Sequence, residues 1–415
     1  MRNKILITAL LITVTSISIF AQGQLDSYLT EAAQNNPGIK AKFNEYLASL
    51  EKVPQIGALP DPQVTFGYFI QPVETRVGPQ RAKISASQMF PWFGALGAAK
   101  DAASDMAKVK YEAFEEAKSN LFYNIKSTYY NLYFTRKAIV ITKKNIDILE
   151  ILRKIALVKV ESGLVSSVDV LRVEIEISNL ENQLALLQDK YQTQLVGFNN
   201  LLNVSSERLV AVPDSLSAND LVYTREAILD SIRNNNHQVL QFDYQEASWK
   251  NQETAAIRSG APKMMLGADY IITGKYSEAS MSVSDAGKDA FVFPMVGITV
   301  PIYRKKYNAM VKEAQLMQES AQNNQEEKTN ALETTFENAN KDYLDANRRI
   351  PLYRLQSDRA NKALSILRTE YETNSQNFEE LLRMERQLLT YKLELEKARA
   401  DKDAAVAFIE YLMGE

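Results

Sequence analysis

Two short carboxylate clusters open helical stretches at matching places in the sequence. Ser166-Ser-Val-Asp169 follows a turn at Gly163, and Asn377-Phe-Glu-Glu380 follows one at Asn374. In each, a small polar residue precedes an acid by three positions, the spacing with which a side-chain oxygen and a carboxylate satisfy the unpaired N–H groups of a first helical turn. The same acids, Asp169, Glu379 and Glu380, can also line an opening if the turns surround one. Lys83 and Asp269 form a second polar set, each on the polar side of an alternating stretch. Met264, Met265, Met281 and Met295 carry thioethers that suit soft ions such as Cu(I). Methionine also fills gaps and faces apolar surroundings, and that is the reading adopted here.

Several chemistries are excluded. There is no cysteine, hence no disulfide or thiolate metal site, and a single histidine, His237, argues against a histidine-based metal or catalytic centre. His237 is read as capping or packing beside a turn. No nucleophile–base pair, phosphate loop or metal-ligand spacing occurs, so the expectation is a non-enzyme with no cofactor and no metal. A net charge of −3 argues against nucleic acid as a partner.

The polar residues must be positioned by strands and long helices. Val64, Phe66, Tyr68 and Ile70 alternate with Gln63, Thr65, Gly67 and Phe69, and Ala82, Ile84 and Ala86 alternate with Lys83, Ser85 and Ser87. This period of two predicts two strands joined at Gly78-Pro79. Each is near the roughly 9–11 residues of a tilted strand that crosses a bilayer. From Ala98 to Ser162 there is neither glycine nor proline; as helix this run extends about 100 Å at about 1.5 Å per residue. Its stripe Leu121, Ile125, Thr128, Leu132, Thr135, Ile139, Thr142, Ile146, Leu149 steps by four and three, and three further stripes begin at Val170, Leu332 and Leu381. A sustained 3.5 period predicts left-handed supercoiled helix pairs, with a kink at Pro351.

The sequence also repeats itself. Asn35-Asn-Pro-Gly-Ile39 returns as Asn235-Asn-His-Gln-Val239, Pro62 as Pro262 and Gly67 as Gly267; past a longer turn at Gly274–Ala290, Pro91 returns as Pro301 and Val168–Leu171 as Phe378–Leu381. Each half is predicted as helix, strand, strand, helix, helix. In the second half Met264, Leu266, Ala268, Tyr270 and Ile272 alternate, and Pro294 restricts the last strand to an edge or a bulge.

At the N-terminus Arg2 and Lys4 precede the apolar run Ile5–Phe20 and Ala21, the layout of a secretory signal cut after a small residue. No later apolar run reaches 18 residues, so membrane residence requires a barrel of amphipathic strands. Four strands cannot close one alone, because open edges leave N–H and C=O groups unpaired in hydrocarbon. Several copies must share it.

The whole mature chain resembles the TolC-type outer-membrane factors. The resemblance is carried by the two-fold repeat, Asn35-Asn-Pro37, Leu59-Pro-Asp-Pro62 and Pro301-Ile-Tyr303; Gln88-Met-Phe-Pro-Trp-Phe-Gly94 is most similar to the branch serving heavy-metal-type resistance-nodulation-division (RND) pumps. It implies a mainly α fold with membrane β: a signal peptide over 1–21 and tandem repeats over 22–235 and 236–415. The strands are expected at about 62–72, 81–91, 262–273 and 291–301, the long helices at about 94–161, 166–202, 306–372 and 377–413, and an equatorial segment at about 203–235. It further implies a homotrimer with a 12-stranded barrel and a coiled-coil α-barrel, set in outer-membrane lipid of a Gram-negative cell with a long periplasmic extension. The partners implied are a periplasmic adaptor (membrane-fusion) protein and an inner-membrane RND or ABC pump. The function implied is a passive exit duct for small toxic solutes, metal ions or drugs. Type I protein secretion and a periplasmic coiled-coil scaffold are the alternatives. In this frame Asp169, Glu379, Glu380, Gly163 and Asn374 mark the periplasmic gate and adaptor-docking tips, Lys83 and Asp269 line the barrel, and Phe90, Trp92 and Phe93 sit at the membrane interface.

Overall fold

The computed structural model describes residues 23–216, 220–275, 287–374 and 377–415. The signal segment 1–21, Met281 and the side chain of Asn374 lie outside the described residues. Of the described residues 74% are helical, and a four-stranded antiparallel sheet accompanies the helices. A helix α1 over 23–35 is followed by α2 (Pro37–Gly57), β1 (Gln63–Val73), β2 (Gln80–Phe90), α3 (Ala95–Glu161) and α4 (Ser167–Leu202). Then come α5 (Arg225–Asn235), α6 (His237–Ser259), β3 (Lys263–Thr273), β4 (Ala290–Thr299), α7 (Arg304–Asn374) and α8 (Phe378–Met413). The last strand stops short of Pro301, which has no N–H for a ladder, and α7 remains helical through Pro351.

One expectation is corrected. Each half places two helices before its strands, not one, and the stretch read as the equatorial segment contains the whole of α5. The extra break has the same chemistry both times. Asn36 Oδ1 accepts from Gly38 N (2.9 Å) and Ile39 N (3.2 Å), capping α2, while its Nδ2 donates to Leu201 O at the end of α4 (2.9 Å). Asn236 Nδ2 donates to Leu412 O at the end of α8 (2.9 Å). The helices that receive these bonds both end on a left-handed residue, Asn203 (φ 54°) and Gly414 (φ 86°).

The chain forms two compact units. The first takes in residues to Lys42, Phe114–His237 and Thr329–Glu415. One of its apolar clusters joins Tyr28 of α1, Ile125, Leu132 and Tyr133 of α3 and Phe198 and Leu202 of α4; another joins Leu149 and Leu152 of α3, Val173 and Ile177 of α4, Leu364 and Tyr371 of α7 and Leu381 and Leu388 of α8. Burial of each such side chain is worth about 1.5–3 kcal/mol, which is how helices with modest amphipathicity hold together.

The second unit, Phe43–Ala113 with Gln238–Lys328, holds the sheet. Its strand order is β1-β2-β3-β4, so β1 and β4 each have an open edge. Pro294 stands on edge strand β4 at the register shift that sets Gly267 against Met295 and Asp269 against Val292. The β1–β2 turn needs a residue without a Cβ: Gly78 has φ 134°, and a Cβ there would lie 1.9 Å from Gly274 O. In the same unit, α6 and α7 bury small apolar residues, Ala255 and Ala256 of α6 and Ala314 and Ala321 of α7, and are bridged by amides. Gln315 and Gln318 donate to Glu253 (both 2.8 Å), Gln322 to Glu246 (2.7 Å) and Gln325 to Asp243 (2.5 Å).

Candidate functional site

The first candidate region is the pair of helix turns. At α3–α4, Gly163 takes φ 70° with open space around it; its N–H donates to Val160 O and Leu164 N–H to Lys159 O, both at 2.9 Å. These bonds close α3 as glycine C-caps do. Ser166 then caps α4, accepting from Val168 N at 3.2 Å. The second turn differs from the expected cap. Asn377 is left-handed (φ 64°) and makes no side-chain bond to the helix; its amide reaches Glu370 Oε2 instead (3.1 Å).

Arg172 links the two turns. Its guanidinium lies 3.8 Å from Asp169 Oδ1 and 3.2 Å from Glu379 Oε2. Glu380 is held separately by Arg383 on its own helix. Asp169 is half-buried beside this link, and burial raises its pKa above the usual carboxylate value while Arg172 works in the opposite direction. Beneath it Tyr371 is fully buried against Phe378, with ring centroids 4.7 Å apart, and Lys159 lies 5.2 Å over the Tyr371 ring. Burial, with Asp169 adding, pushes the Tyr371 phenol up to about 12. Thus Asp169 and Glu379 are brought together through one arginine, and Glu380 stands apart.

Arg172 was missed in the sequence, as was an exposed apolar row on α4, while Tyr371 belongs to the stripe that begins at Leu332. Val168, Leu171 and Ile175 are 48%, 56% and 63% exposed, at steps of three and four. That spacing was the available signal; it runs on the opposite side of the helix from the buried Val170, Val173 and Ile177.

The second region is the sheet, which has two unlike faces. Phe66, Ile84, Tyr270 and Phe291 form one cross-strand row, with Val64, Tyr68, Leu266, Val296 and Ile298 on the same face. Val64, Phe66, Tyr68 and Ile70 are each at least two-thirds exposed, so this apolar face is uncovered in the protomer. The adjacent row, Thr65, Ser85 and Asp269, belongs to the other face. There Lys83 Nζ meets Asp269 Oδ2 at 2.5 Å, with Asp269 buried and Lys83 partly exposed. Met295 and Met265 lie over Gly267 and Gly297, filling space that a Cβ would otherwise take. Where β2 ends, Trp92 and Phe93 pack edge to face at 5.8 Å, Phe93 mostly exposed. Phe90, Trp92 and Phe93 help line an apolar hollow with Met264, Leu266 and Val296.

An amphipathic sheet with open edges, together with helices of 67 and 71 residues, invites comparison with membrane channels. Residues 28–204 match the outer membrane efflux protein family. No curated protein sequence matches the chain. Among solved structures it is similar to the CusC transmembrane channel (15% identity, 94% of this chain and 92% of that one, TM-score 0.77). It is also similar to the outer membrane protein VceC of Vibrio cholerae (15%, 94% and 96%, 0.75) and to the open-state MtrE outer membrane channel of Neisseria gonorrhoeae (15%, 94% and 89%, 0.73). At these identities the likeness establishes the fold. Among the described residues no helix is long and apolar enough to cross a membrane.

Proposed function

We propose that the chain is a passive outer-membrane exit duct for small toxic solutes, working with a periplasmic adaptor and an inner-membrane pump. The observation that carries this is the sheet: one exposed apolar face, one face on which Lys83 meets a buried Asp269, and two open edges. In hydrocarbon such edges must be paired. Three copies joining β4 of one to β1 of the next give a closed 12-stranded barrel with the apolar face toward lipid and Lys83 and Asp269 toward the lumen. The exposed row Val168, Leu171, Ile175 and the open helix faces are then covered by neighbouring copies or by the adaptor. The match to the efflux protein family supports the transport reading, and the Gln88–Gly94 heptapeptide supports an RND pump as the energy source.

The test of residence and assembly is the outer-membrane fraction. A heat-modifiable trimer there is the expected result, and recovery of soluble protein from the periplasm would instead support a scaffold. The tips are the gate in this reading, held by Arg172 between Asp169 and Glu379. Replacing Asp169 and Glu379 with alanine should raise single-channel conductance in planar bilayers severalfold; unchanged conductance would remove these residues from the gate.

A further inference from the structure

We infer that the junction between sheet and helices carries a binding site for an anionic phospholipid, with one acyl chain in the apolar hollow and the phosphate on a group of cations beside it. The inference rests on the outer-membrane reading. The hollow has a volume of ≈ 310 Å³, at the lower end of the about 300–1,000 Å³ of ligand pockets, so it accommodates part of an acyl chain and not a whole lipid. Its lining is rings and flexible methionine: Phe90, Trp92, Phe93, Met264, Leu266 and Val296.

The charge lies next to it. Arg258 Nη1 donates to Gly94 O at 3.0 Å, and Gly94 directly follows Phe93 of the lining. Arg304 Nη1 donates to Gly260 O at 2.5 Å, and Lys305 and Lys306 come next in the chain. Each arginine spends one N–H on a backbone carbonyl, which fixes the guanidinium while the rest of its fork stays exposed. Fixed guanidinium forks match phosphate oxygens in pairs. Among the described residues Arg258, Arg304, Lys305 and Lys306 form no ion pair, whereas Arg172, Arg349 and Arg368 of the helices are all paired. Val300, Ile302 and Tyr303, leading from β4 to these cations, are all more than half exposed. Lys306 Nζ lies 5.9 Å over the Tyr307 ring, a contact that leaves its charge without a counter-ion. An apolar approach that ends in cations without carboxylate partners fits a lipid whose headgroup is negative, and a zwitterionic headgroup gains less from them. Asp61, two residues before β1, is the exposed carboxylate on the neighbouring strand end.

The chain has two tryptophans, so Trp249→Phe leaves Trp92 as a reporter in the hollow. The full-length protein is reconstituted in phosphatidylcholine vesicles carrying a small, equal fraction of dibrominated phosphatidylglycerol or dibrominated phosphatidylcholine, and Trp92 quenching is measured. Phosphatidylglycerol should be enriched at Trp92 roughly fivefold for each cation it engages. Lys305→Gln with Lys306→Gln, neither of which holds a backbone carbonyl, should reduce that preference, and adding Arg258→Gln and Arg304→Gln should abolish it. Equal quenching by both lipids, or a preference unchanged by the lysine pair, overturns the lipid site while leaving the membrane reading intact. Absence of quenching by either lipid overturns the membrane reading itself.

Discussion

Arginine at position 84 is expected to keep the protein from assembling in the outer membrane, while arginine at position 85 is expected to be tolerated. Ile84 is 40% exposed in the protomer and lies in the apolar row between Phe66 and Tyr270. If that face meets lipid, an arginine near mid-depth costs about 2–4 kcal/mol, and three copies multiply it to about 6–12 kcal/mol per trimer. A typical domain has only about 5–15 kcal/mol of net stability, so the trimer band should be lost. Ser85, one residue on, sits between Thr65 and Asp269 beside Lys83. An arginine there enters a polar face with a carboxylate at hand, and the heat-modifiable trimer should persist. The contrast is independent of general damage to β2, since both changes introduce the same side chain into adjacent positions. Equal tolerance of Ile84→Arg and Ser85→Arg would mean that the apolar face is not in lipid.

That contrast can be drawn because alternation in a strand is visible in sequence. The side chains of Val64–Gly67 and Ala82–Ser87 separate by polarity with a period of two, and the pairing of β1 with β2 puts their like sides on one face, Phe66 against Ile84 and Thr65 against Ser85. Partnership within a face is another matter. Lys83 and Asp269 each read as polar-face residues, yet their contact is diagonal: Ser85 stands opposite Asp269 and Ile271 opposite Lys83. Only the β2–β3 register, set between segments far apart in the chain, creates it.

The helices show the same limit. The four-and-three stripes mark which sides are buried, but before Leu332 the buried side of α7 is built on small residues, Ala314 and Ala321, and the glutamines beside it meet Asp243, Glu246 and Glu253 of α6. The glutamines are regularly spaced in sequence; the acids that give them meaning are on another element. Arg172 likewise reads as a solvated charge until α8 is placed beside α4. The break at Asn36 was hidden for a different reason: an Asn-Asn-Pro turn is visible, but helix on both sides of it depends on Leu201 O receiving the Asn36 amide.

Removing the guanidinium of Arg368 should loosen the α7–α8 hairpin by stranding a buried carboxylate. Glu385 is 1% exposed among Leu381, Leu382, Leu388 and Leu389, and its Oε1 accepts from Arg368 Nη2 at 3.1 Å while Oε2 has no protein partner. Burial raises its pKa above the usual carboxylate value; Arg368, and Lys392 more weakly, oppose the rise. Breaking a buried pair by deleting one partner costs about 3–5 kcal/mol. Because Arg368 is itself 42% exposed, Arg368→Ala should fall near the lower end, about 3 kcal/mol at neutral pH. The pH dependence has a definite sign. A carboxyl whose folded-state pKa is raised favours folding in its protonated form, so its contribution is complete below the ordinary carboxylate pKa and is lost as pH rises through the raised value. Without Arg368 the raised value moves higher still, and the deficit of the variant should shrink as the pH is lowered into the acid range. Hydrogen exchange of the amides in 378–389, corrected for intrinsic rates and measured on the purified protein at mildly acidic and neutral pH, reads this directly. Arg368→Ala combined with Glu385→Leu removes both charges from an apolar neighbourhood and should restore protection at every pH, as apolar replacements of buried ion pairs often do. If Arg368→Ala exchanges like the wild type at neutral pH, the pair does not hold the hairpin; if the double variant is as loose as the single one, the loss comes from missing packing and not from a stranded carboxylate.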